Sequence, residues 1–383
     1  MNITAMPAVL ELEVLAADEG DCLLLTCHTA TGPRHVLIDG GTARTKPLLL
    51  ERLQGLTNQR LELLVVSHID ADHIAGVVRL LRDPAFTLDV DDAWFNGHHH
   101  LPGSSGLKGP ADGERLSDLL TGTSGGRSLP WNAAFSGAAV ARDDGDPDTG
   151  ETTAELPVVE WPWGLRITVL SPTPRRLSAL LPAWDRYLLQ LRKEQPSEQT
   201  ESPLHKAGPE SLEMLAAEPT TNDTAAPNGS SIALLAEFAG RSLLLCADAF
   251  PTVLYPALLR LARSRAGLPA DAAPGTVPRL HVDVFKLPHH GSRANVALAL
   301  FDIVCADHYV VSTSGNRFGH PDAEAMARVI TRGRPSPERP LTLWFNYASG
   351  TTQRWRDPDL ARKYDYVVAG ASAADDPGMV LRL

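Results

Sequence analysis

Apolar positions along the chain fall into short blocks separated by turn residues. Val9 to Thr26 holds two such blocks around Asp18-Glu19-Gly20-Asp21, which predicts a β-hairpin. Val36-Leu37-Ile38 predicts a further strand, ending in Asp39-Gly40-Gly41. Pro47 to Leu56 has helical spacing. Leu61 to Val66 reads as a buried strand and Ile74 to Leu81 as the helix after it. Strands alternating with short helices point to an α/β layered fold.

The middle of the chain is less regular. Stretches at about 97–130, 142–157 and 195–227 are rich in Gly, Ser, Pro and acidic residues, and read as flexible insertions in one domain spanning 1–383. Between them Trp161 to Leu170 predicts a strand and Pro174 to Leu191 a helix. Regular pattern resumes at Ser231 to Phe238 and Leu243 to Cys246, both strands, followed by helical spacing from Thr252 to Arg265. Val282 to Leu287 and Tyr309 to Ser312 are further strands. Asp322 to Thr331 is a helix with Pro321 at its start, and the tail after Leu341 has strand character.

Composition narrows the class. At 43% hydrophobic residues, the 383-residue chain can build a large core. Its net charge of −11 argues against a broad basic surface for holding nucleic acid. Cys22, Cys27, Cys246 and Cys305 form no CxxC pair, which fits buried thiols and a cytoplasmic location. No apolar run approaches the ~20 residues that cross a bilayer, so no membrane partner is expected. Met1 to Leu10 lacks the pattern of a secretory signal.

Chemistry concentrates where strands end. Ser67-His68-Ile69-Asp70-Ala71-Asp72-His73 directly follows the Leu61–Val66 run. Asp39 follows Val36–Ile38, Asp248 follows Leu243–Cys246, His289 and His290 follow Val282–Leu287, and His320 comes after Tyr309–Ser312. Five strand ends sharing His and Asp describe one site along a sheet edge. Imidazole with carboxylate binds divalent transition metals, and two ions about 4 Å apart can share a carboxylate and activate water. His98-His99-His100 sits in a Gly-rich loop and reads as solvent-exposed or substrate-facing. His28, His35 and His281 read as structural, and Trp161, Trp163 and Trp184 as packing residues.

The order Asp-Gly-Gly, His-x-Asp-x-Asp-His, Cys-Ala-Asp, His-His-Gly-Ser and Gly-His-Pro resembles the metallo-β-lactamase fold over roughly residues 9 to 335. Asn228-Gly229-Ser230-Ser231 and His289-His290-Gly291-Ser292 resemble the hydrolase domain of ComEC-type competence proteins and their free-standing relatives. The resemblance implies an αββα sandwich, two central mixed β-sheets flanked by helices. It implies His68 and Asp70 at a first metal position, Asp72 and His73 at a second, Asp248 as bridging carboxylate and His320 as late ligand of the second ion. Asp72 would orient the attacking water, and His289 or His290 would protonate the leaving group. Asn228 and Ser230 would orient substrate, and Asp39 would support the ligand loop from behind.

The chain departs from the superfamily pattern in two places. Asp70 stands where His is common, and no His precedes Ser231 to complete the first metal position. The nearest, His205, lies in an insertion, and Asp223 is a substitute ligand. The extra carboxylate moves preference from zinc toward manganese or magnesium. With Asp70, Asp72 and Asp248 ionised, two dications leave about one net positive charge, whereas one leaves the site negative. One or two divalent ions, zinc or manganese, are expected, and a phosphodiesterase or nuclease with a metal-bound hydroxide implies either two of them or a nearby Arg, for which Arg293 is the candidate. The same residues also admit a lactone or thioester hydrolase, or a catalytically degenerate interaction module.

Overall fold

The computed structural model describes residues 9–104, 111–123, 128–145, 154–191, 211–373 and 377–383. Six strands form one sheet, in spatial order Met379–Arg382, Val9–Val14, Leu23–Thr29, Gly32–Ile38, Leu63–Val65 and Ala93–Trp94. Eight form the other, ordered Tyr366–Gly370, Leu341–Phe345, Val304–Val311, Leu280–Lys286, Arg241–Leu245, Ala233–Phe238, Arg166–Ser171 and Val158–Glu160. Both sheets are mixed: hairpins pair antiparallel at one side, and crossovers pair parallel at the other.

Side-chain alternation decides the layering. In the Leu23–Thr29 strand, Leu23 and Leu25 face the second sheet and meet Val169, Leu234, Leu245 and Val284 in a shared core. Leu24 points the other way and packs with Leu37, Leu64, Ile74 and Val77 under the first helical layer. On the far side, Leu235, Leu244, Phe285 and Tyr309 pack against Leu254, Leu258, Met326 and Val329 from the helices Pro251–Arg265 and Ala323–Arg332. The result is helix, sheet, sheet, helix, as the sequence predicts.

Three local differences from the sequence reading matter. The expected Leu61–Val66 strand is split, and Arg60–Leu61 pairs instead with Asp89–Val90. Glu62 causes the break, because its buried carboxylate accepts from the His35 amide at 2.6 Å and pairs with Arg34 at 3.2 Å. The helix after this strand spans Ala71–Leu81 and not Ile74–Leu81, so Asp72 and His73 sit on its first turn and not on a free loop. Pro321 precedes the Asp322 cap and lies outside the helix it was expected to open.

The first and third insertions also contain helix. Ala111–Thr121 buries Leu116, Leu119 and Leu120 in the same cluster as Trp184. Leu212–Ala217 is capped by the Ser211 hydroxyl and packs on Ala323–Arg332, where buried Arg328 bonds the Ala216 and Glu218 carbonyls. His205 lies outside the described residues, as do residues 1–8 of the segment read for a signal. The four cysteines are free and buried, and among the described residues no helix is long and apolar enough to cross a membrane.

One close approach holds the ligand helix against its sheet. A Cβ on Gly76 would lie 1.8 Å from the Gly40 carbonyl oxygen, and one on Gly40 would lie 2.5 Å from the Val77 amide nitrogen. In an exposed helix Gly→Ala gains about 1 kcal/mol. Here Gly76→Ala is expected to cost about 1–3 kcal/mol instead, because helix and strand must separate. Urea unfolding gives the sign directly, and a stabilised variant would refute the contact.

Candidate metal centre

The parallel strands deliver their C-terminal ends to one edge, where the two sheets meet. The Ile232 amide bonds the Ser67 carbonyl at 2.9 Å and ties the sheets together there. Asp248 lies at the centre, 2% exposed. Its Oδ1 is 3.4 Å from His73 Nε2 and 3.6 Å from His290 Nε2. Its Oδ2 is 3.9 Å from His68 Nε2 and 3.7 Å from His289 Nε2. Asp72 Oδ2 stands 3.9 Å from His73 Nε2 and 3.6 Å from His290 Nε2, and Asp70 Oδ2 stands 3.6 Å from His68 Nε2.

Each imidazole is fixed from behind. His73 Nδ1 donates to Asp39 Oδ2 at 2.8 Å, and Asp39 also accepts from the Ser67 amide and hydroxyl, both at 2.7 Å. His68 Nδ1 donates to the Ser67 hydroxyl at 2.9 Å. His290 Nδ1 donates to the Ser312 carbonyl at 2.8 Å, and His289 Nδ1 to Asn295 Oδ1 at 2.9 Å. Acceptors on the Nδ1 side leave the Nε2 lone pairs turned toward the cluster.

The backbone is bent to make this possible. Asp39, Ala247, His289 and His290 all have positive φ, at 60°, 44°, 47° and 55°. Left-handed conformation costs a non-glycine residue on the order of 1–2 kcal/mol, and such strain gathers at functional sites. Gly20 is needed for another reason: a Cβ there would lie 1.6 Å from the Asp72 carbonyl oxygen.

Charge is strongly coupled across the cluster. Burial favours neutral forms, yet Asp248, Asp39 and Asp72 hold His73 well above the ordinary imidazole range. Asp248, Asp21 and Asp72 likewise push His290 up to about 9 against burial. The Asp248 carboxyl, despite burial, is held well below its usual range by His290, His73 and His289. A divalent ion replaces such protons and is bound with their release. Among the described residues, His68 Nε2 and Asp248 Oδ1 are buried without a hydrogen-bond partner. Orphaned ligand atoms within one His and Asp cluster fit a metal ion. The groups His68/His73/Asp248 and Asp72/His73/His290 each bring three ligand atoms within 4.8 Å of one another.

The other residues singled out by sequence take varied places. Asp39 is the buried support of His73. His320 stands outside the cluster, its ring centroid 5.5 Å from that of His289, with Nδ1 3.5 Å from Asp322. His290 occupies the position beside Asp72 and His73 that sequence reasoning gave to His320. Asp223 sits behind His289 and accepts from Asn228 and Asn295 at 2.7 and 3.0 Å. Ser230 Oγ donates to the Pro227 carbonyl at 2.6 Å, and Arg293, half-exposed, pairs with Glu324 at 2.7 Å. His98 is buried against Trp184, which corrects the exposed reading for that residue, while His99 is exposed as expected and His100 accepts from the Gly97 amide.

Sequence reasoning missed Asp21, Lys286, Asn295 and Ser312. Asp21 was read as part of a hairpin turn, yet it is 1% exposed and ion-paired with fully buried Lys286. The available signal was Lys286 itself, a cation closing an otherwise apolar strand.

Residues 18–165 match the family model of the metallo-β-lactamase superfamily, a segment that includes His68 to His73. Among solved structures, the chain is similar to the metallo-β-lactamase fold protein YhfI from Bacillus subtilis. Identity is 12% and the TM-score 0.41, over 98% of this chain and 100% of that one. CmlA, a diiron β-hydroxylase from Streptomyces venezuelae, is 15% identical with a TM-score of 0.40, over 99% of this chain and 55% of that one. No curated protein matches the chain. The family match reaches the superfamily and no finer branch. That match covers less than half of the chain, and the helix, sheet, sheet, helix layering with a His and Asp cluster at the sheet edge agrees with it.

Proposed function

We propose that the protein is a metal-dependent phosphodiesterase acting on nucleic acid. The observation that carries this reading is the rim beside the metal centre. Exposed Arg317 lies over the Phe318 ring at 5.0 Å, Phe318 stacks near His320 at 6.2 Å, and His320 meets His289 edge-on. A cation and an aromatic face next to a His and Asp cluster suit a phosphate flanked by a base.

A divalent ion held at the cluster would supply Lewis acidity and a water of lowered pKa. The chain's own groups do the rest. His68, His73, His290 and Asp248 hold their Nε2 and carboxylate atoms in fixed directions, which removes reorganisation from the reaction. Asp72, with 22% of its side chain exposed, reaches the cleft and orients the attacking water. Arg317 binds the phosphodiester oxygens and Phe318 stacks on a neighbouring base.

Cleavage of single- and double-stranded DNA and RNA with added manganese tests the reading. Wild-type protein is expected to cleave, Asp72→Ala to fall by about 10²-fold or more, and Arg317→Ala to raise KM with little change in kcat. No cleavage by the wild type, with ready turnover of a lactone or thioester, would replace this reading with the ester hydrolase that the acidic chain also fits.

A further inference from the structure

The superfamily pattern leaves the first metal position one histidine short in this chain, and the structure places a candidate there from an unexpected direction. This inference rests on the reading that the centre binds divalent metal. The two oxygens of Asp248 divide the surrounding groups. Oδ1 faces His73 and His290, with Asp72 beside both. Oδ2 faces His68 and His289, with Asp70 beside His68. Each oxygen therefore has two imidazoles and one further carboxylate on its side.

We propose that His289 is a metal ligand, completing a position formed by His68, Asp70, His289 and Asp248 Oδ2, opposite one formed by Asp72, His73, His290 and Asp248 Oδ1. Two adjacent residues of one strand end thus serve different ions. Their successive left-handed conformations make this possible, turning neighbouring rings to opposite sides of one carboxylate.

His289 is held as the other three imidazoles are. Its Nδ1 donates to Asn295 Oδ1, and Asn295 cannot flip, because its amide nitrogen donates to Asp223 Oδ2 at 3.0 Å and to the Asp248 carbonyl at 3.1 Å. Nε2 is thereby turned toward Asp248 Oδ2, at 3.7 Å, where a bound cation takes the place of a proton. The two nitrogen and two oxygen donors on each side suit a first-row transition dication.

Cobalt(II) titration of the full chain is the test, read by calorimetry and metal content, with no activity measured. Wild type is expected to bind two equivalents. His289→Ala is expected to keep one and to bind the other at least 100-fold more weakly. A variant that retains both ions at unchanged affinity would overturn the assignment and return His289 to proton transfer. Proton NMR of the cobalt-loaded wild type decides the matter even if the variant does not fold. Four hyperfine-shifted, exchangeable imidazole N–H signals are expected, one for each ligand histidine, and three would refute the proposal. Binding of a single ion by the wild type also overturns it while leaving a metallohydrolase intact. Binding of none removes both readings.

Discussion

Asp248→Asn is expected to lower kcat/KM by about 10³-fold or more, close to 4 kcal/mol of transition-state stabilisation. The side chain is buried, and its two oxygens face different pairs of imidazoles. An amide keeps the shape but replaces one carboxylate oxygen with an NH₂ group, which cannot ligate. The loss should therefore be larger than for Asp70→Asn, whose carboxylate is 40% exposed and near one imidazole only. Steady-state kinetics beside metal analysis checks this. A variant with full metal content and more than a tenth of wild-type activity would place the chemistry elsewhere.

Lys286→Met should produce the largest loss of stability, about 3–5 kcal/mol, because it strands the Asp21 carboxylate without a partner in the interior. The methionine fills the same space, so little of the loss is packing. Adding Asp21→Asn to Lys286→Met should recover most of it, since the buried charge is then gone. The pH dependence has a definite sign. Burial alone would raise the Asp21 carboxyl, but Lys286 and His290 hold it well below the carboxylate range. That stabilisation is present above the unfolded carboxylate pKa near 4 and is lost as pH falls through the folded value. Without Lys286, burial raises the Asp21 carboxyl instead, so the variant regains stability by taking up a proton as pH falls toward 4, and its deficit should narrow in acid. Denaturant unfolding at pH 7 and pH 4 measures both effects, and a deficit that widens in acid would mean that Asp21 is not the stranded group. Asp21 also lies 3.5 Å from His290 Nδ1, so the double variant need not recover activity.

Much of the site is legible along the chain because its residues are close in sequence or mark strand ends. His68 to His73 follow a buried strand within six positions, and their clustering needs no tertiary knowledge. Asp39 and Asp248 are equally visible, since an apolar strand that stops at an acid in an α/β layered fold points its end at a common edge. The roles of His289, His290 and His320 were not legible. His73 and His290 are 217 positions apart yet 3.3 Å apart in space, and only sheet pairing brings them together. The adjacent rings of His289 and His290 look interchangeable until their left-handed φ values separate them. Asn295 is one of many polar loop residues until it is seen to lock a ring and the Asp248 backbone together.

The chain by itself thus determined the layers and the edge. Period-two alternation with apolar residues at both parities in strands such as Leu23–Thr29 requires burial on both faces, and that forces sheets between helices. Tertiary structure alone decided which imidazole meets which carboxylate oxygen, where the buried Asp21–Lys286 pair lies, and that Arg293 is drawn to Glu324. Those are contacts between distant segments. Their geometry is set by sheet register, by strained turns and by the close passage of Gly20 under Asp72. Periodicity records which face a residue takes, but it carries no information about who stands opposite.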